Sequence, residues 1–191
     1  MKENRFLEIV NENPLNRLIL ERLPDLGLND CWLVSGALFQ TAWNIITGRP
    51  PTNGIRDYDV FYFDDSDLSW EAEDYQIKRA TSAFSDIDAT VEVRNQARVY
   101  LWYTQKYGLP YPPLTRSTES IDRFLAKTCM VGLCPGRGSR PRLYAPVGLQ
   151  DVSEMVVQPN YSENFQVHRY REKAARWLRC WPELMVVHPE V

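Results

Sequence analysis

A chain of 191 residues, 44% of them hydrophobic, is long enough to bury a sizeable core as one domain or as one domain with a small appendage. The formal net charge of −3 does not indicate a broad basic surface for nucleic acid. Nucleic acid is therefore a possible partner that the net charge does not predict. The chain contains no run of about 18 apolar residues, the length that would span a membrane. Its first residues lack the apolar core of a signal peptide. We therefore expect a cytoplasmic protein with no membrane partner.

The cysteines argue against a zinc site and against a disulfide scaffold. No two of them have the CxxC spacing of a zinc site, and the chain contains only two histidines. The sequence is also not the small, cysteine-dense kind that disulfides hold together. We expect four reduced, mostly structural thiols, at Cys31, Cys129, Cys134 and Cys180.

The first half of the chain alternates helices with strands. Apolar spacing predicts an amphipathic helix over 5–23, interrupted near Pro14. A short apolar strand over 31–34 is broken by Ser35-Gly36, and a helix over 37–47 follows. The next predicted elements are a strand over 58–63, a helix over 70–84 capped by Ser69, a strand over 89–93 and a helix over 96–107.

The second half begins at a proline-rich segment, 109–117, which suggests a boundary. We predict a core over 1–108 and a helical and hairpin extension over 109–191, packed on the core or forming one single domain with it. Within the extension we expect a helix over 120–126, a hairpin formed by the apolar run 128–133 with 142–145, and a helix over 165–181. The alternation predicts an α/β (α+β) fold with a small mixed sheet flanked by helices.

Two aspartates at the start of a predicted strand form the first candidate site. Asp57 and Asp59 are spaced i, i+2, so both side chains point to one face of the strand and can share a hard cation such as Mg²⁺. Phosphoryl transfer uses one or two such ions. A third acid is expected on a neighbouring strand, where alternation places Glu92 opposite an apolar face. Asp88, at the start of that strand, is the alternative.

The Ser35-Gly36 turn strengthens this interpretation. An Asp-x-Asp pattern alone is a weak signal, because many proteins contain one by chance. A small-residue turn between an apolar strand and a helix exposes backbone N–H groups at the helix N-terminus, where phosphate binds favourably. The alternative is a tight strand-to-helix turn that binds no ligand.

The order of these motifs resembles the polymerase-beta-like nucleotidyltransferase superfamily. The matching segments are VSGALFQTAWN at 34–44, IRDYDVFYFD at 55–64 and ATVEVRNQ at 89–96. The superfamily signature is a glycine-serine turn, then hDxDh, then a further acidic residue. The chain departs from it in one place, since it has Ser35-Gly36-Ala37 where the superfamily usually shows Gly followed by Gly or Ser.

The resemblance implies a reaction and a site. A nucleoside monophosphate would move from a nucleoside triphosphate to an unidentified hydroxyl acceptor. Mg²⁺ or Mn²⁺ would be held by Asp57, Asp59 and Glu92, and the triphosphate would lie against Ser35 and Gly36. A narrower resemblance, to bacterial nucleotidyltransferase-like proteins, covers nearly the whole chain and implies the fold but no acceptor. It rests on TCMVGLCPG, YAPVGLQDVSEMVVQPN and YREKAARWLRCWPEL.

Two other functions stay open at this stage. The same fold can serve as a nucleotide-binding or regulatory module without turnover, and an Asp-x-Asp pair also occurs in metal-dependent glycosyltransferases. Several basic residues have either a functional or a purely structural interpretation: Arg56 and Arg94 as phosphate ligands or ion-pair partners, Lys127 and Lys173 as triphosphate ligands, and Arg137, Arg140 and Arg142 as a polyanion contact or a solvated hairpin tip.

Overall fold

The computed structural model describes residues 1–136 and 140–190. Within these residues a five-stranded mixed sheet has the order β3-β2-β1-β4-β5; β2 and β3 are parallel, and the other neighbouring pairs are antiparallel. This confirms the predicted mixed sheet. The strands are β1 (Trp32–Val34), β2 (Asp57–Tyr62), β3 (Thr90–Asn95), β4 (Gly132–Cys134) and β5 (Arg142–Tyr144).

Two further strands form a small parallel pair that the sequence did not reveal: β6 (Val156–Val157) and β7 (Met185–Val186). Each has only two residues, too few for any periodicity to be visible. The two strands β4 and β5 come from the segment 109–191, and β4 pairs directly with β1. The two predicted segments therefore share one sheet, and a division at residue 108 stays a prediction.

Eight α-helices surround the sheets in the described part of the chain. None of them is both long and apolar enough to cross a membrane. They are α1 (Glu3–Glu12), α2 (Pro14–Arg22), α3 (Gly36–Ile46), α4 (Trp70–Ala83), α5 (Val99–Tyr107), α6 (Thr118–Ile121), α7 (Gln150–Ser153) and α8 (Val167–Cys180).

Local chemistry explains where several helices begin. The Asn13 side chain accepts hydrogen bonds from the backbone N–H groups of Leu15 and Asn16, at 2.9 and 3.4 Å, and Pro14 takes the first position of α2. This divides the predicted helix 5–23 at the expected place. The Ser69 hydroxyl caps α4 as predicted, by accepting from the N–H of Ala72 at 3.2 Å.

The predicted helix over 120–126 is wrong beyond Ile121, where α6 ends. The Asn160 side chain donates to the backbone carbonyls of Asp122 and Phe124, both at 2.8 Å, and the Asn160 N–H donates to the Leu125 carbonyl at 3.0 Å. These carbonyls are satisfied by a residue more than 30 positions away. Local propensity does not report such a tertiary contact.

The two faces of the sheet have different roles. Leu33, Val60 and Val93 lie in register on one face and belong to the main core, which α3 and α4 cover. Alternation places the neighbouring residues on the opposite face. There Val34, Asp59 and Glu92 lie side by side across β1, β2 and β3.

An aromatic cluster attaches α8, the last helix, to α3, the helix that follows β1. The side chains of Phe39, Trp43, Trp177 and Trp181 contact one another edge to face, with ring centroids 4.7 to 6.0 Å apart. The indole N–H of Trp181 donates to the side-chain oxygen of Asn44 at 2.8 Å. We call these four aromatic residues the α3–α8 cluster; they hold α8 against α3.

Candidate active site

The predicted carboxylates lie on the open face of the sheet. Asp59 is in register with Glu92 of the parallel strand β3, and both side chains, together with Ser35, line a cavity of about 340 Å³ that we call the central cavity. Asp57 is on the same strand face but is exposed and does not line this cavity. Asp88 is exposed in the bend before β3, so Glu92 is the acid beside Asp59.

The carboxylates do not form a complete metal cage by themselves. Among residues 1–136 and 140–190, no group of three His, Cys, Asp or Glu side chains is arranged to hold a metal ion. The Glu92 carboxylate instead accepts a hydrogen bond from Arg94 at 3.3 Å. Magnesium is commonly held by one or two carboxylates and completed by water and substrate phosphates. The pair Asp57 and Asp59 fits that kind of shared site better than it fits a closed structural metal site.

Burial and neighbouring charge act together on Asp59. Its partial burial disfavours the ionised form, and the negative charges of Asp57 and Glu92 add to this, so the pKa of Asp59 rises to about 7; Lys173 and Arg94 act in the opposite direction. A carboxylate in this state gains a large electrostatic stabilisation when a cation binds beside it. Such perturbed carboxylates are typical of functional sites.

The Ser35 turn begins α3 with an unusual backbone. Ser35 has φ 54° and ψ −114°, a conformation that only glycine adopts without strain. Its N–H donates to the Val131 carbonyl at 2.9 Å, and its side chain does not cap α3. The N–H groups in the first turn of the helix therefore have no side-chain cap, as an anion site at a helix N-terminus requires.

Gly36 is not needed for this backbone conformation, because the positive φ falls on Ser35. A Cβ atom at Gly36 would lie 2.9 Å from the side-chain nitrogen of Gln40, the far end of a flexible side chain. Added bulk can therefore be accommodated by a movement of Gln40, at small cost to the fold.

We expect Gly36→Val to lose nucleotide affinity and still melt cooperatively, because the added bulk and the movement of Gln40 would change the first turn of α3, whose N–H groups would bind phosphate. Gly27→Ala is the matched control. Gly27 has φ +62°, so a side chain there is strained and should lower stability by about 1 kcal/mol without affecting nucleotide affinity. Melting curves and nucleotide titrations of both variants test this; a Gly36→Val protein that is unstable yet binds nucleotide normally would remove the phosphate role.

Side chains from distant parts of the chain complete the central cavity. Five cations line it against three carboxylates, Asp59, Glu73 and Glu92. This excess favours an anionic ligand. The cations are Arg94, Lys106, Arg123, Arg169 and Lys173, and the aromatic lining consists of Phe61, Trp102, Tyr103, Tyr107, Tyr111 and Phe124.

Aromatic rings support three of these cations: Lys106, which lies 5.4 Å from the ring centroid of Trp102, and two arginines. The Arg169 guanidinium lies 4.0 Å from the ring centroid of Tyr107, and that of Arg123 lies 5.4 Å from the centroid of Tyr111. Arg169 and Lys173 are four residues apart on α8, so they lie on the same side of that helix. This spacing is the one sequence signal that links Arg169 to the predicted Lys173.

The other basic residues singled out in the sequence lie away from the central cavity. Lys127 donates to the Gln158 side chain at 3.3 Å, and Arg56 is exposed with no carboxylate partner in the described part of the chain. Arg140 pairs with Glu3 at 3.6 Å. The Arg142 guanidinium lies 5.0 Å from the ring centroid of Trp32, and Arg137 lies outside the described residues.

Comparison with known proteins decides the family. A family model described as "Nucleotidyltransferase" matches residues 21–186, most of the chain. The chain belongs to this nucleotidyltransferase family. Its fold resembles a solved structure described as "The NMR structure of the protein reveals a CCA-adding enzyme head domain", at 26% identity and a TM-score of 0.78 over 98% of this chain and 97% of that one.

A second solved structure, "tRNA-processing enzyme (apo form I)", aligns at 13% identity over 94% of this chain and 41% of that one, with a TM-score of 0.43. A similarity at that level carries no argument. A search of curated proteins gave no significant match. The family match and the first structure confirm the predicted superfamily and fold.

Proposed function

We propose that this nucleotidyltransferase moves a nucleoside monophosphate from a nucleoside triphosphate to a hydroxyl acceptor, with Mg²⁺ or Mn²⁺ held by Asp57 and Asp59. The observation that carries the proposal is the pairing of Asp59 with Glu92 next to the Ser35 turn, in a cavity with an excess of cations. Carboxylates for a metal and cations for phosphate then face one space, which is the arrangement that phosphoryl transfer requires.

Asp57 and Asp59 would hold the metal on one side of the substrate. Mg²⁺ held there would supply charge stabilisation to phosphate oxygens. The raised pKa of Asp59 follows from its burial and from the charges of Asp57 and Glu92. Binding of a cation reverses this and stabilises the ionised carboxylate.

The triphosphate would lie between the Ser35-Gly36 turn and the cations of α8. The first-turn N–H groups of α3 donate to phosphate oxygens, and Lys173 and Arg169 neutralise the remaining charge. Lys173 is close enough to Asp59 to affect its pKa. One side chain can therefore interact with the carboxylate in the free protein and with phosphate in the complex.

Glu92 would complete the site and accept the proton of the acceptor hydroxyl. The acceptor oxygen forms a bond to the α-phosphorus, the bond from that phosphorus to the bridging oxygen breaks, and pyrophosphate leaves. Arg94, which now pairs with Glu92 at 3.3 Å, is free to turn towards the phosphates when Glu92 takes up this role. Both side chains are exposed enough to rearrange, at 44% for Arg94 and 42% for Glu92.

Calorimetric titration with each nucleoside triphosphate, with and without Mg²⁺ or Mn²⁺, tests the metal assignment. We expect metal to strengthen nucleotide binding to the wild type, and Asp57→Asn and Asp59→Asn to lose that gain. Asp65→Asn is the matched control, because it makes the same change of charge at an exposed position outside the central cavity. Equal metal-dependent binding in all four proteins would contradict the assignment.

Turnover is tested separately, by incubating the protein with each labelled triphosphate, metal and a cell extract. Transfer of label to an acceptor, lost in Asp59→Asn, supports the enzyme. Nucleotide binding without any labelled product would instead support a binding or regulatory module with the same fold.

A further inference from the structure

A second cavity, of about 500 Å³, adjoins the central cavity. Four side chains line both cavities: Glu73, Arg94, Trp102 and Lys106. The second cavity is completed by Trp70, Arg98 and Gln105. We call it the side cavity. A ligand that fills it therefore touches residues that also border the candidate active site.

The side cavity has an exposed aromatic ring that contacts a fixed arginine. Trp70, the first residue of α4, is 55% exposed. The Arg98 guanidinium lies 5.6 Å from the centroid of its ring. Arg98 is itself fixed by a buried ion pair with Glu73 and by a hydrogen bond to the Leu68 carbonyl at 3.0 Å. A large exposed ring on such a rigid support is suited to stacking against a flat ligand.

The charge of the side cavity favours a ligand that carries phosphate. Its lining holds three cations, Arg94, Arg98 and Lys106, against one carboxylate, Glu73. Arg98 is neutralised by Glu73. Lys106 has no carboxylate partner among the described residues and lies 5.4 Å from the ring centroid of Trp102. Free positive charge next to aromatic faces is the combination that binds a nucleotide.

We propose that the side cavity binds the terminal nucleotide of the acceptor, with its base on Trp70 and its phosphate near Lys106. This inference rests on the proposed function. Arg94 borders both cavities and is two residues from Glu92 on the same face of β3. A nucleotide in the side cavity would therefore lie beside the part of the central cavity that contains Glu92. The source is either the end of a single-stranded RNA or a free nucleotide.

Trp70→Ala tests the proposal, and Tyr75→Ala is its matched control. Tyr75 is an equally exposed aromatic residue of α4, at 61%, and lines neither cavity. The probes are a fluorescent eight-nucleotide single-stranded RNA with a free 3′ hydroxyl and, separately, a nucleoside monophosphate. We expect Trp70→Ala to weaken binding of at least one probe about tenfold, Tyr75→Ala to leave it unchanged, and Trp70→Phe to retain most of it.

The outcomes separate this inference from the proposed function. Sensitivity of the RNA to Trp70 identifies a strand end as acceptor, and sensitivity of the monophosphate alone identifies a free nucleotide. Wild-type protein that binds neither probe, or variants that bind both as the wild type does, would overturn the side-cavity assignment. Triphosphate affinity with metal is measured on the same proteins: its absence from the wild type defeats the proposed function, whereas its presence with no effect of Trp70 defeats only the acceptor site. Melting curves show whether each variant is folded.

Discussion

Replacing Glu73 by alanine is expected to lower the free energy of unfolding by about 3–5 kcal/mol, because it leaves a buried arginine without its partner. The side chains of Glu73 and Arg98 are only 5% and 10% exposed, and they form an ion pair with each other. Glu73 also accepts a hydrogen bond from the backbone N–H of Asn95 at 2.9 Å. The variant would lose both contacts and bury an uncompensated charge.

For a chain of this size the loss corresponds to about 10 °C in melting temperature. Glu8→Ala is the control, since it breaks the Arg5–Glu8 pair, whose side chains are 57% and 65% exposed. We expect a change within about 0.5 kcal/mol there. Urea denaturation of both variants measures the difference. If Glu73→Ala proved no more harmful than Glu8→Ala, the buried pair would not be the attachment of α4 to the end of β3.

Replacing Asp59 by asparagine should have the opposite effect on stability when metal is removed by a chelator. In the folded protein the pKa of Asp59 is raised from 3.8 to about 7. As the pH rises between these values, the unfolded chain gives up this proton and the folded protein keeps it, so the carboxylate favours unfolding progressively. The penalty is complete above about pH 7, and asparagine avoids it.

The expected gain for Asp59→Asn at pH 8 is about 2 kcal/mol, below the full value of about 4 for such a pKa change, because Asp59 keeps some solvent contact. The difference should shrink as the pH falls towards 4. Asp86→Asn serves as the control of opposite sign: the Arg22 guanidinium, bonded to it at 2.5 and 2.8 Å, lowers the pKa of Asp86 to about 2. Thermal melts across pH measure both. An Asp59→Asn protein that is less stable than the wild type at pH 8 would contradict the burial argument.

The two predictions together describe how residues of the site affect the stability of the folded protein. Asp59 is expected to destabilise the free protein, as residues retained for binding often do. Glu73, which lines the same cavity, is expected to stabilise it. Addition of Mg²⁺ and nucleotide should narrow the difference between wild type and Asp59→Asn, because ligand binds only the folded wild-type site tightly.

The positions of the carboxylates could be predicted from the sequence because they depend on the two-residue period of a strand. A strand alternates its side chains, so the spacing of Asp57 and Asp59, and the polar position of Glu92, follow from a few neighbouring residues. In the sheet Glu92 lies beside Asp59, and the strands that carry them follow each other in the chain in the same order as the motifs. The role of the three acids as metal ligands stays a prediction.

The part of the cavity lining that lies outside the strands could not be predicted from local periodicity. Arg123 and Arg169 reach the cavity from segments on either side of the hairpin, and no period connects them with the strands. Lys127 illustrates the same limit, since its bond to Gln158 depends on a segment 31 residues away. Arg94 and Lys173 were recognised in the sequence only as basic residues with either a functional or a structural interpretation, and the path of the whole chain places them in the cavity.

The α3–α8 cluster has a consequence for how a ligand enters. It joins the helix that begins at the Ser35 turn to the helix that carries Arg169 and Lys173. The turn and these cations are therefore attached to one packed pair of helices. The facing helix α5 has only one fully buried residue, Val99. We therefore expect α5 to open more readily than α3 and α8, as the more weakly anchored wall of the central cavity.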